Sequence, residues 1–215
     1  MAIKAQGALL SVETARAAAK TITAATAASP VVISSTAHGY TDNDIIYISG
    51  VVGMVQLNGR AFVVDDTTAS PQKPNSLELK GVDGTAYTAY SSAGSMYKCT
   101  MTEIGEVSGA SGFDGQAPEV DTTHLRSVAK EYLLGLQDFG NVTLNVFLKN
   151  ADAGQIQLRT IKESGAEKVF TIQLSDGTVS AFAGYVKGFT FAAERDGAVS
   201  GQVTLRVTGA PAWFA

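Results

Sequence analysis

Two histidines, one cysteine and two close pairs of aspartates are the residues from which catalysis or metal binding could start in this chain. His38 and His124 stand in no spacing such as His-Glu-x-x-His, which would put two imidazoles on one helical face around a metal. Cys99 is alone, so it closes no internal disulfide and cannot build a multi-thiolate zinc site; a buried, inert thiol is expected. The run Ser108-Gly-Ala-Ser-Gly-Phe-Asp-Gly115 looks at first like an anion cradle. It opens no helix and lacks the Lys-Ser/Thr ending of a phosphate loop, so it reads as a flexible loop. Asp42 with Asp44, and Asp65 with Asp66, lack the alternating ligands and closing glutamate of a calcium loop and read as turn residues. No nucleophile, base and orienting group can be assembled from these types. The expectation is a chain with no catalytic residue, no cofactor and no metal.

The elements that would carry such residues are mostly strands. The 215 residues are 45% hydrophobic and 17% charged, the balance of a chain that buries a core. Glycine is abundant (22) and proline modest (5), which with many short β-rich runs favours an all-β architecture with frequent turns. The net charge of −4 comes without any dense Lys/Arg run, so tight nucleic-acid binding is disfavoured. No apolar stretch reaches the roughly 18 residues of a membrane span, and the first twenty residues are too polar for a secretory core.

The last third is the most regular. In Asn141–Lys149, Val142, Leu144, Val146 and Leu148 fall on one strand face. Phe170, Ile172 and Leu174 repeat the pattern before Asp176-Gly177, which predicts a two-residue hairpin turn. The run from Thr178 to Phe191 is interrupted by Gly184 and Gly188, expected bulges, and places Tyr185, Phe189 and Phe191 on one face. After Asp196-Gly197, the residues Val199 to Thr208 alternate cleanly. Between the first two strands the spacing predicts one helix over 150–165. Asn150 is its expected cap, Gly165 its left-handed stop, and Leu158 and Ile161 lie on its apolar stripe with Ile156 outside it.

The first half holds shorter β runs at Thr21–Ala24, Val31–Ser34, Ile45–Ser49, Ala61–Val64, Ser76–Leu79 and one starting near Met96. Turn-rich segments separate them, which predicts a small barrel or curled sheet with its own core. His38-Gly39 reads as a turn, and Met54 with Leu57 as a short helical plug over that core.

The order Glu119-Val-Asp-Thr-Thr-His-Leu125, then Glu131-Tyr-Leu-Leu-Gly-Leu-Gln-Asp-Phe-Gly140, then strand, helix and hairpins ending in Thr208-Gly209-Ala-Pro211, resembles the major tail tube proteins of long-tailed bacteriophages. The resemblance covers about residues 103–211. It implies a β-sandwich with one flanking α-helix that assembles into hexameric rings stacked into a hollow tube. A wall without a cationic run suits a conduit along which DNA must slide. The segment His38–Gly50 followed by Gly53–Gly59 is similar to a small β module of phage structural proteins and of the first catalytic-cysteine half-domain of ubiquitin-activating enzymes. No activated thiol or phosphate loop accompanies it here, so a structural role is expected.

The fold expected is therefore mainly β: a tail-tube β-sandwich of residues 1–18 and 98–215, plus an inserted, barrel-like β domain of residues 19–97 projecting outward. Ala8–Glu13 and Met101–Ser108 resemble the two strands that flank the insertion, although a tandem arrangement with a boundary near Thr100 is also open. By the same resemblance, residues 109–140 supply contacts between subunits. Phe113, Leu125, Tyr132, Leu133, Leu134 and Phe139 are apolar for a loop and are the expected interface residues, with cover for their own sandwich as the alternative. The implied partners are further copies of the chain, a tape-measure protein, a tail terminator and a baseplate or tip. Genomic DNA would pass through the lumen, and the site of action would be the virion tail. A decoration or receptor-binding β protein of the virion is the alternative reading.

Overall fold

The computed structural model describes residues 3–65 and 74–213; Asp66 lies outside the described residues. The chain enters through β1 (Leu9–Arg16) and then makes six short strands: β2 (Lys20–Thr21), β3 (Ala24–Ala25), β4 (Val31–Ser34), β5 (Ile45–Ser49), β6 (Arg60–Asp65) and β7 (Ser76–Leu79). The nine-residue β8 (Ser95–Glu103) brings it back. One long strand therefore serves both halves: Ser95 to Lys98 pair with β5, while Cys99 to Glu103 pair with β1. The expected strand Thr21–Ala24 is broken at Ile22, whose side chain is buried in the core of the first half.

After β8 the chain turns at Gly105 and Glu106, the latter with φ 58°, and continues as β9 (Val107–Gly112). This corrects the reading of 108–115 as a flexible loop. β12 (Asn141–Phe147) offers an edge of unpaired backbone groups, and pairing against it outweighs the poor strand propensity of Ser and Gly. Between them β10 (Glu119–Asp121) and β11 (Tyr132–Leu134) form a separate two-stranded ribbon. The helix α1 (Ala153–Ser164) follows β12, and β13 (Lys168–Gln173), β14 (Val179–Ala192) and β15 (Ser200–Ala212) complete the chain. The main sheet runs β3-β4-β7-β6-β5-β8-β1-β13-β14-β15-β12-β9, with β2 paired beside β8.

Three apolar clusters hold it. One, with Ile33, Ile46, Ile48, Met54, Phe62 and Leu77, fills the first half; the 3-10 turn Val55–Leu57 sets Met54 and Leu57 over it as expected. The second, with Leu10, Val12, Leu144, Phe170, Phe182 and Leu205, lies beneath α1. A third, smaller one joins them: Ile45, Ala61 and Val63 meet Cys99, Val169 and Ala181. Arg60 strengthens that junction, its Nε donating to the Ala210 carbonyl at 2.8 Å and its guanidinium lying over Phe62.

Three local expectations need revision. The helix is capped by Asp152, not Asn150: its carboxylate accepts from the Gln155 amide at 2.8 Å and from the Gly105 amide at 3.3 Å, so one side chain ties the helix start to the β8–β9 turn. Gly165 is the left-handed stop, and Leu158 and Ile161 are buried while Ile156 is exposed. The Asp176-Gly177 hairpin has a three-residue loop instead of two. Leu174 and Thr178 close it, only Gly177 takes positive φ (90°), and Asp176 accepts from the Thr178 amide. In β14 a bulge between Val186 and Gly188 reverses the facing of side chains, so Tyr185 points outward while Phe189 packs on the second core.

Candidate assembly surface

The residue types that could do chemistry stand apart from one another. His38 is buried and accepts from the Tyr40 amide at 3.0 Å, inside a turn completed by Gly39 at φ 68°. His124 lies on the exposed ribbon loop beside Ser127. Burial pushes the Cys99 thiol up to about 12, leaving negligible thiolate at neutral pH. Asp44 closes the Thr41 turn and pairs with Lys98 at 2.7 Å. Among the described residues no group of three His, Cys, Asp or Glu side chains is placed to hold a metal, and no helix is long and apolar enough to cross a membrane.

What the structure does present is an arm. From 116 to 138 the chain leaves the body as the β10–β11 ribbon and its connecting loop. The pairs Glu119↔Leu134, Val120↔Leu133 and Asp121↔Tyr132 alternate, so Val120 and Leu133 make an all-aliphatic face. Every residue of both strands is exposed. Leu134 is 74% exposed and Leu136 92%, while Leu125 and Val128 in the connecting loop are fully exposed. An isolated two-stranded ribbon is at best marginally stable in water, and this one sits on no core of its own.

Its root, by contrast, is pinned. The Phe113 amide donates to the Asn141 carbonyl, and the Asp114 carboxylate accepts from the Asn141 amide at 2.6 Å. Gly115 and Gly140 pass so close that a Cβ on Gly115 would meet the Gly140 nitrogen at 2.3 Å. The Gly140 amide and the Arg206 guanidinium, 2.7 Å away, hold the Asp138 carboxyl below the usual carboxylate range.

The six apolar residues singled out in the sequence divide accordingly. Phe113 packs edge-on to Phe182 at 5.3 Å and against Trp213 at 4.7 Å, and Phe139 lies on the second core. Leu125, Tyr132, Leu133 and Leu134 are exposed. Val120, Val128 and Leu136 join them and were missed, because single aliphatics among polar neighbours show no periodicity.

Beside the root lies an open flank. Among the described residues β9 pairs on one side only, with β12. Its sequence Val-Ser-Gly-Ala-Ser-Gly carries no charge and no proline, the usual guards of an edge strand. Inside this edge runs an apolar cleft of about 350 Å³ lined by Leu10, Val107, Ala110, Val142, Ile172 and Leu174 among others.

Comparison with known proteins places these features. Residues 83–181 match the family described as phage tail tube, TTP, lambda-like, a stretch that contains the whole arm, β9, β12 and α1. "Structural protein 3" of Pseudomonas phage PAJU2 is 24% identical over 133 residues, covering 52% of this chain and 81% of that protein. A chain from the tail of an empty GTA particle, refined with helical and C6 symmetry, is similar at 17% identity and a TM-score of 0.45. That similarity covers 54% of this chain and 87% of the other.

Proposed function

We infer that this chain is a major tail tube subunit of a phage virion: a structural protein, not an enzyme, whose work is done by surfaces that join it to copies of itself. The observation that carries the reading is the arm. It lies wholly within the stretch that matches the tail tube family, and it displays aliphatic side chains that none of the described residues covers. A run of exposed aliphatics on one arm marks a surface that meets a partner. The unguarded β9 edge adds a second unmet surface, and in a closed ring each such edge is completed by the next subunit.

In this reading the copies form hexameric rings that stack into the tube through which DNA leaves the capsid. The tape-measure protein, the tail terminator and the baseplate or tip meet its inner wall and its ends. Residues 19–97 form a lobe that faces outward, with a structural role. The net charge of −4 keeps the wall from holding phosphate.

Negative-stain electron microscopy and native mass measurement of the purified full chain test this directly. Rings, or tubes at high concentration, are expected. A strictly monomeric particle at every concentration, and absence of the chain from tails of the virion, would overturn it.

A further inference from the structure

We propose that the apolar cleft beneath β9 is the receptor for the arm of a second copy of this chain, seating the loop residues Leu125 and Val128. The proposal rests on the tube reading and deepens it by naming which surface meets which.

The cleft has a specific origin. In the β9–β12 pairing Ala110 lies opposite Leu144 and Gly112 opposite Val142, and both β12 residues are buried in the second core. Directly paired residues share a face. The edge strand therefore turns Ala110 inward where its neighbour turns Leu144, while at Gly112 the strands approach so closely that a Cβ would meet the Val142 Cα at 2.7 Å. Among the described residues no side chain fills the space that Ala110 leaves, which opens toward Leu10, Ile172 and Leu174. Protein interiors are close-packed, and a void lined by aliphatics carries a cost that a filled site would not. No charged side chain lines the cleft, so its occupant is aliphatic.

The same chain carries aliphatics with nowhere to go. Leu125 and Val128 are fully exposed, so the arm does not fill its own cleft. A narrow loop also suits a slot between an edge strand and β1 better than the flat face of a ribbon does. Knob and hole lie on different parts of one molecule, so a copy whose cleft is filled can still offer its own arm to a third. Used head to tail in this way the contact is heterologous and builds rings or filaments, the arrangement the tube reading requires.

Two kinds of variant of the full chain test it. Ala110→Leu fills the cleft, and Leu125→Ser with Val128→Ser removes the knobs. Each is expected to leave a folded monomer, with Ala110→Leu melting at the same or a higher temperature, and each to weaken self-association by about tenfold or more. As an independent measure, differently tagged chains bearing Ala110→Cys and Leu125→Cys are mixed and oxidised. A disulfide between the two tags is expected, since the native Cys99 is buried. Normal assembly of Ala110→Leu, or absence of the mixed disulfide in assemblies that otherwise form, overturns the proposal while leaving the tube reading intact. An unmodified chain that never assembles overturns the tube reading, and this proposal with it.

Discussion

Glu13 and Arg16 face each other on β1 although they stand three residues apart, a spacing that in a regular strand points side chains to opposite sides. The bulge between Glu13 and Ala15 resets the phase. The Glu13 carboxylate, fully buried, then accepts from Arg16 Nε at 2.7 Å and Nη2 at 3.1 Å, and from the Val169 amide at 2.8 Å. Lys168 Nζ lies 3.5 Å away, and the Arg16 guanidinium rests 3.9 Å from the centre of the Tyr47 ring. One carboxylate thus joins β1 and β13, and through Arg16 it reaches β5 of the first half.

Glu13→Ala leaves two cations and a backbone amide without their acceptor. Breaking a buried pair from one side costs about 3 kcal/mol or more. Urea denaturation of the monomer is expected to show that loss. Arg16→Lys keeps the charge but loses the two-pronged bond and the flat stacking surface, so a smaller loss is expected.

The turn at Gly177 yields a second prediction. Its φ of 90° lies where an L side chain is strained, although a Cβ there would meet nothing. Gly177→Ala is expected to cost about 1–2 kcal/mol by conformation alone. Gly154→Ala probes the opposite case, ordinary φ without room, because its Cβ would meet the Glu103 carbonyl at 2.3 Å. Thermal melts of both should fall below the unmodified protein, and Gly177→Asn, which tolerates positive φ, should recover part of the first loss.

These positions mark what the sequence could and could not disclose. The alternation in 141–147 and 200–208, the helix with its Gly165 stop and the Met54–Leu57 plug follow from period and turn chemistry, and the structure has each, although Leu148 lies past the end of β12 and Val199 stands exposed before β15. β9 was illegible beyond Val107 and Ser108 because Gly, Ala and Ser have little strand propensity; the waiting edge of β12 makes 109–112 a strand. The Asp152 cap was hidden by Asn150, an equally good capping type two residues earlier. Glu13 gave no signal, since a bulge cannot be seen in Val-Glu-Thr-Ala-Arg. Of the surface residues, the apolar character of 113–139 was legible, but not which of them the sandwich keeps for itself.

Alkaline pH should weaken the fold. Burial raises the Tyr40 and Tyr47 hydroxyls to about 12 and the Cys99 thiol to about 12, above their ordinary values near 10 and 9. Because the folded chain holds these protons more tightly than the unfolded one, the stability they contribute is complete below about pH 9. It declines as pH rises from there and is lost through pH 12. Denaturation midpoints measured from pH 8 to 11.5 should fall progressively. At pH 8 the thiol should resist alkylation in the folded protein and react once it is unfolded; rapid modification of the native chain would contradict its burial.

The division of the six apolar surface residues gives the last prediction. Phe113 and Phe139 are part of the core's cover, so Phe113→Ala should cost the isolated monomer stability. It removes contacts with Phe182 and Trp213, and the loss should be smaller than the 3–5 kcal/mol typical of a fully buried phenylalanine. Leu133 and Leu134 touch no core, so Leu133→Ser with Leu134→Ser should leave monomer stability within about 0.5 kcal/mol. In assembly the contrast should reverse, since each exposed leucine buried against a neighbour contributes about 1.5–3 kcal/mol, repeated at every copy of the contact. The double serine variant should therefore raise the concentration needed for rings or tubes by more than a hundredfold, as sedimentation or light scattering would record. A serine variant that unfolds the monomer would show the arm to be part of the fold instead of its reach toward a neighbour.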